Sequence, residues 1–436
     1  MTPHSQSVRA YLAALETRGW LRAVTAPVEP RFEISAHFCH AGDGPALRFD
    51  RVSGHTMGVF GNLLCSRARI ALGLQVAEPE IQPRLTRAIA NPRAPALVVD
   101  APCQEIAVEN PDLAGLPIPT FFEHETGPYL TAGVIVASGN LSFARIKPLG
   151  ANRGFIGIAP EHHLAVLARR AQAEGRRLPV AVTLGNHPAV LLAGALYLGL
   201  GEDELRVASA LFERPLEVAE TANGLRVPAH CEIVLEGELD AGVAIPEGPV
   251  SEYHGMYEDY GPGMEIRITR MTRRRDALLQ VIQPGYYPEH VWIGAEAIAA
   301  SLCHRLRSFF PGVREVAITP GGAGRLHAVV AASATEARKV MQAVWEAVRL
   351  IKLVTVVDAE IDPWDPVRVE WALATRMRAE RDLVVVPSAS TSRSDPIEEG
   401  GRIGKLGIDA TRKAGDRDDW RRALPPAAVM RKIREG

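Results

Sequence analysis

Between residues 131 and about 283 the chain is written mainly in strands, and this block limits what the whole can fold into. TAGVIVAS, PVAVTLG, CEIVLEGEL and EIRITRMT are short runs rich in β-branched residues and bounded by turn residues. Within CEIVLEGEL, Ile233 and Leu235 alternate with Glu232 and Glu236, the pattern of a strand with one wet face. TRRRD (272–276) separates EIRITRM from ALLQVIQ and predicts a hairpin, with the arginines at 273–275 on its solvated tip. Two helical pieces interrupt the block, around 162–173 and 189–198.

Both flanks are patterned differently. Val8, Leu12 and Leu15 stand at helical spacing within residues 5–18, with Gly19 as the stop, and short α and β signals alternate from there to about Leu116. GLPIPTFFEHETGPYL is dense in proline and glycine and predicts a crossing between domains. In the last third, Ser333-x-x-Glu336 reads as a capping box, followed by Val340, Val344 and Val348 at four-residue spacing. LVTVVD, WALATRMR and DLVVVP then continue, which predicts a separate α/β domain before a polar tail from Ser388.

Composition excludes more than it assigns. With 436 residues, 47% hydrophobic, 23% charged and a net charge of −2, the chain has neither the basicity of a nucleic-acid binder nor the imbalance of a disordered one. The five cysteines are isolated and odd in number, which predicts buried thiols in a reducing compartment rather than disulfides or a thiolate zinc site. The N-terminus lacks a basic patch followed by an apolar run, and the most apolar stretch (188–201) is too short to span a bilayer. A cytoplasmic protein is expected.

The most informative stretch is IPEGPVSEYHGMYEDYGPG. Glu247 and Glu252 lie five residues apart around Gly248 and Pro249, so a turn can bring both carboxylates to one cavity. Close carboxylates cannot both ionise cheaply; one then holds a proton near neutrality, and an arginine would keep the other anionic and orient an acidic substrate. Taken alone, two glutamates in such a loop are more often solvated turn residues.

The neighbouring residues add a resemblance. PEGPVSEYHGMY resembles the PEGPFGEY-type signature of the UbiD family of prenylated-FMN-dependent (de)carboxylases. HETGPYLTAGVIV, DELRVASAL followed by PLEV, VPAHCEIVLEGEL and GKLGIDAT resemble further blocks of that family in the same order, from about residue 115 to 411. The resemblance implies a mixed α/β and β fold: an N-terminal α/β region (1–116), a central split β-barrel of flavin-reductase type that binds the cofactor (117–290), and a C-terminal α/β oligomerisation domain with the tail (291–436).

It also implies roles, position by position. Arg145 in NLSFAR matches the arginine that pairs with the first catalytic glutamate, Glu247. Glu252 matches the acid that protonates the substrate carbon after carbon dioxide leaves. Asn140, His162 and Glu204 match the ligands of a divalent metal, manganese or magnesium, held against the cofactor phosphate, with Lys405 meeting the same phosphate and a potassium ion alongside. These donors suit a hard divalent cation. The implied activity is reversible, non-oxidative decarboxylation of an aromatic, heteroaromatic or α,β-unsaturated acid through a covalent adduct with prenylated FMN. The implied partners are a flavin prenyltransferase and a second copy of the chain.

Other readings stand beside this one. Asn140 can hold a turn after Gly139, and His163 reads as a helix-start or surface residue. GGAG (321–324) lacks a strand–GxGxxG–helix setting and reads as a turn. Trp292 and Ile293 fall where relatives line a substrate pocket, with a core role for Trp292 equally open. A metal-dependent hydrolase using His162, His163 and Glu204, and a non-catalytic flavin-binding subunit, are the rival functions.

Overall fold

The computed structural model describes residues 5–333, 336–413, 416 and 423–435; the first four residues of the N-terminal segment, positions 334–335 inside the expected capping box, and parts of the polar tail lie outside the described residues. The chain opens with the expected helix, Val8–Thr17. The Ser7 hydroxyl accepts from the Arg9 N–H, and Val8, Tyr11, Leu12 and Leu15 face the core. Gly19 then turns the chain at φ 68°, where a side chain would be strained.

Three short strands follow, and a fourth joins them from far along the sequence. The sheet runs Leu21–Val24, Ala46–Phe49, Val59–Gly61, Leu279–Val281, the last pair parallel. The hairpin expected at TRRRD is therefore not formed. Strand Pro262–Arg273 belongs to the central sheet, and the arginines carry the chain from one sheet to the other. Arg274 donates to the Cys231 carbonyl and lies 3.4 Å from Glu232, while Arg275 is exposed. A register read from sequence alone could not see that the partner of ALLQVIQ lies more than two hundred residues upstream.

The central sheet has eight strands and curls into a half-barrel. Its order is Asn140–Phe143, Val134–Ala137, Leu178–Leu184, Ile233–Pro246, Pro262–Arg273, Arg153–Gly157, Arg145–Pro148, with Ile106–Glu109 pairing on Pro262–Arg273. Strands Ile233–Pro246 and Pro262–Arg273 form its spine, with register shifts after Glu236 and Asp240. Gly237 sits at the first shift, where a Cβ would lie 2.1 Å from the Arg267 carbonyl oxygen; the bulge bends the strand and needs glycine. The expected wet face of this strand is dry: Glu232 and Glu236 are both buried. Glu232 is neutralised by a two-pronged bond from Arg9 (2.8 and 2.7 Å) and also accepts from the Leu278 N–H, and Glu236 accepts from the Ala222 N–H. Groups from other elements thus pair with both carboxylates, though Glu236 Oε1 is left without a hydrogen-bond partner among the described residues.

The C-terminal third is an α/β layer, as its pattern predicts. Its five-stranded sheet runs Val313–Ile318, His327–Ala332, Leu353–Asp358, Arg402–Ala410, Leu383–Ser390. Helices Pro288–Phe309, Ala337–Ala347 and Pro366–Arg376 accompany it. The capping box does not form: Glu336 is itself the cap residue of Ala337–Ala347 and Ser333 donates to the Gly312 carbonyl. With Glu336 one turn too early, neither side chain can reach the other's backbone N–H. GGAG is a turn, with Ala323 and Gly324 at positive φ.

One hydrophobic core runs unbroken through the N-terminal and central sheets, and a second fills the C-terminal layer. Trp292 packs against both and lies 5.8 Å from the Trp364 ring, a core position. Helix Pro188–Gly194 is buried at every residue, and among the described residues no helix is long and apolar enough to cross a membrane. Cysteines 65, 103, 231 and 303 are buried as expected, whereas Cys39 is exposed.

Candidate active site

Arg145 opens strand Arg145–Pro148, directly across from Gly157, where a Cβ would come within 3.0 Å of the guanidinium. Glu247 follows the last residue of strand Ile233–Pro246, and Gly248 turns the chain at φ 81°. The small hairpin Val250–Ser251 with Tyr257–Glu258 then closes through the Glu252 N–H to the Met256 carbonyl (3.1 Å) and the Gly255 N–H to the Glu252 carbonyl (2.7 Å). Neither glutamate is a solvated turn residue.

One guanidinium spans both carboxylates. Arg145 Nε and Nη2 donate to Glu247 Oε1 and Oε2 at 2.5 and 2.6 Å, and Nη1 donates to Glu252 Oε1 at 2.9 Å. Burial alone would make Arg145 easier to deprotonate; the Glu247 bonds and the fields of both glutamates more than offset it, so the cation is locked. The two acids are held unequally. Glu247 is 2% exposed with both oxygens bonded to arginine. Glu252 is gripped at one oxygen, its Oε2 meets only the long Tyr253 N–H bond (3.4 Å), and its side chain keeps 13% of its surface open. Glu252 is the one free to reach a substrate.

Several neighbours escaped the sequence reading. Lys147 lies two residues beyond Arg145 on the same face of the strand, and that period-two spacing was the available signal. Its ammonium donates to the Glu247 carbonyl and to Thr126 Oγ1, both at 2.7 Å, and burial lowers its pKa. Glu125, raised by burial, accepts from the Phe121 and Phe122 N–H groups. Arg145 and Arg393 both stand over the Tyr260 ring, 5.5 and 5.3 Å from its centroid. Arg393 also donates to the Tyr260 and Ile158 carbonyls, and Tyr253 Oη donates to the Ser394 carbonyl. Part of the polar tail thus braces the site, for which composition gave no hint. A cleft of about 660 Å³ around Asp100, Glu220, Glu236 and Arg270 shares no residue with this group.

A second cluster lies on the strand that comes just before Arg145 in the sequence and stands at the other end of the sheet order. The turn at Ser138 and Gly139, both at positive φ, delivers Asn140 into strand Asn140–Phe143. The Asn140 amide donates to Glu204 Oε2 (3.1 Å), as does the Leu141 N–H, and its carbonyl oxygen accepts from Ser142. Glu204 begins helix Glu204–Ala210 and is 2% exposed; burial raises its carboxyl to about 7 against those two bonds. The imidazole that approaches it is His163, with Nδ1 4.0 Å from Glu204 Oε1. His162, the ligand that the resemblance implies, is the residue before it. His162 is the N-cap of helix His163–Ala173, its Nδ1 taken up by the Leu164 N–H (3.4 Å), and burial lowers it to about 4. His163 is the first residue of that helix, the helix-start role expected of it.

Among the described residues no lysine or arginine pairs with Glu204, and no three His, Cys, Asp or Glu side chains gather as a metal cage. A buried carboxylate, a neutral imidazole and an amide oxygen do fit a hard divalent cation whose remaining ligands come from a phosphate. Lys405 stands apart from both clusters. It lies buried on strand Arg402–Ala410, donates to the Arg349 carbonyl (2.7 Å), and is lowered by burial to about 8.

Three family models match in succession: the 3-octaprenyl-4-hydroxybenzoate carboxy-lyase N-terminal domain over residues 12–89, the Rift-related domain over 97–287 and the C-terminal domain over 291–410. An anhydromevalonate phosphate decarboxylase of Methanosarcina mazei is 33% identical, covering 96% of this chain and 99% of that protein. One of the same name from Aeropyrum pernix is 31% identical over 91% of this chain and 92% of its own. The UbiD-class enzyme HmfF of Pelotomaculum thermopropionicum, solved with FMN, superposes with a TM-score of 0.90 at 36% identity, covering 98% of this chain and 99% of its own. A vanillic acid decarboxylase of Sedimentibacter hydroxybenzoicus gives 0.88 at 26% identity, over 99% and 98%.

Proposed function

We start from the fact that this chain belongs to the UbiD family of carboxy-lyases, and propose that it removes carbon dioxide, reversibly and without net oxidation, from an aromatic, heteroaromatic or α,β-unsaturated acid. The observation that carries the reading is the unequal grip of one buried arginine on two carboxylates. Arg145 is a fixed cation that orients the substrate carboxylate. Glu247 neutralises that cation and holds its plane. Glu252, singly held, delivers the proton to the carbon that carbon dioxide vacates. The carbon–carboxylate bond breaks, its electron pair stays with the substrate fragment, and the proton completes the product. Prenylated FMN, when bound, supplies the electron sink for that pair.

The residues fit such a cofactor. Asn140, His163 and Glu204 would hold a manganese or magnesium ion against its phosphate, with potassium as a second counter-ion. Asn140 and Arg145 are five residues apart, at most about 17 Å along extended chain, a span that a flavin mononucleotide can bridge from phosphate to ring. On this reading residues 117–290 carry the cofactor, 291–436 the contacts between copies, and Lys405 would have to turn from Arg349 to meet the phosphate. The single imidazole at Glu204 leaves a hydrolytic metal site one ligand short. The names of the relatives point to a substrate bearing a phosphate as well as the carboxylate that leaves.

The test is co-expression with a flavin prenyltransferase, mass spectrometry of the bound cofactor, and carbon dioxide release from a panel of aromatic and acrylic acids. Prenylated FMN with turnover of at least one acid is expected. Stoichiometric zinc without flavin absorbance would contradict the reading.

A further inference from the structure

Beside the Arg145 group stand the first turns of helix Pro288–Phe309, and there a second arginine lies without a counter-charge. The Arg325 guanidinium is laid over Gly294: a Cβ at that position would sit 1.4 Å from Nη1 and 2.3 Å from Cζ, so only glycine leaves room. Cζ is 5.6 Å from the ring centroid of Tyr253, the residue after Glu252. His290, one turn before Gly294, is lowered chiefly by burial, with Arg325 and Arg145 acting in the same sense. Arg325 donates only to the adjacent Gly324 carbonyl (3.1 Å), and among the described residues no carboxylate lies within ion-pair distance of it. Arg145, by contrast, holds two. A guanidinium beside the site with no carboxylate of its own leaves a planar fork that matches a carboxylate or a phosphate.

We propose that Arg325 is a specificity-determining residue that binds a second anionic group of the substrate, a phosphate or carboxylate at the end remote from the carboxylate that leaves. This rests on the carboxy-lyase reading of the Arg145 group. The leaving carboxylate lies toward Arg145 and Glu252, the body of the substrate passes Tyr253, and the second anion meets the Arg325 fork. His290 does not share that charge. Its Nδ1 faces the Gly285 carbonyl (3.0 Å), which makes Nδ1 the donor and leaves Nε2 an acceptor.

Calorimetric titration of the protein loaded with plain FMN tests this apart from turnover. The probes are dimethylacrylate, the same acid carrying a terminal phosphate ester, and the same acid carrying a terminal carboxylate. One doubly charged probe is expected to bind at least about tenfold tighter than dimethylacrylate, and which one identifies the group. Arg325→Gln should abolish that preference while leaving the affinity for dimethylacrylate and for FMN unchanged; Arg325→Lys should restore part of it. Gly294→Ala, which displaces the guanidinium without removing it, should act like Arg325→Gln. Equal binding of all probes by the unaltered protein, a preference that survives Arg325→Gln, or a loss of FMN in place of the preference would overturn the proposal. If the preference follows Arg325 but the prenylated-FMN-loaded enzyme releases no carbon dioxide, the anion site stands and the carboxy-lyase reading fails.

Discussion

Glu204 is costly to ionise where it is buried. Its carboxyl is raised from 4.5 to about 7, chiefly by burial, so the folded chain keeps a proton that the unfolded chain has released. The stabilisation tied to that proton is complete below about pH 4.5 and is lost as pH rises to about 7, on the order of 3 kcal/mol. On the proposed reading a divalent ion would take the proton's place, with the His163 ring, its pKa lowered by burial, as one ligand. Manganese should therefore raise the melting temperature more at about pH 8 than at about pH 5.5. Glu289 and Glu296 are raised in the same sense, so the share of Glu204 is read by difference. Glu204→Gln should flatten part of the pH slope and lose the metal response; an unchanged manganese shift in that variant would contradict the assignment. Arg145, Glu247 and Glu252 were legible in the sequence as residues that could meet. The choice between His162 and His163 was not, since the two are adjacent at one helix entry.

At the scale of elements, the sheets are joined by charges that composition counts but cannot place. Arg9 reaches from the first helix to Glu232 on the central sheet and also meets Asp276. Arg9→Ala strands a buried carboxylate, and the more distant Arg274 compensates only in part. A loss of about 3 kcal/mol is expected, measured by urea unfolding, with Arg9→Ala/Glu232→Gln recovering much of it; a change near zero for Arg9→Ala would show that water or Arg274 already satisfies Glu232. The same elements mark where local pattern stopped being informative. Alternation in CEIVLEGEL identified a strand correctly, yet assigned its glutamates to water because the covering helix comes from the other end of the chain. TRRRD carried every local sign of a hairpin, and the pairing of Leu279–Val281 with Val59–Gly61 is a long-range choice that such signs do not encode.

Across the whole molecule, the N-terminal and central sheets share one core, and the strand after the central sheet returns to the N-terminal one, while the C-terminal layer has a core of its own. Residues 8–283 should exchange amide hydrogens as one cooperative unit and the C-terminal layer as another; separate unfolding of the N-terminal sheet would contradict that division. The site draws on both units, since Arg145, Glu247 and Glu252 come from the central sheet and Arg393 and Ser394 from the C-terminal layer. Its chemistry must therefore be tested in the intact, cofactor-loaded chain. The most direct measurement follows turnover of an accepted acid in heavy water by the unaltered enzyme and by Glu252→Gln, with bound cofactor quantified in each. The unaltered enzyme should release carbon dioxide and place one deuterium on the vacated carbon, and Glu252→Gln should keep its cofactor while losing at least about a hundredfold in rate. Labelled product formed by Glu252→Gln at the unaltered rate would contradict the account.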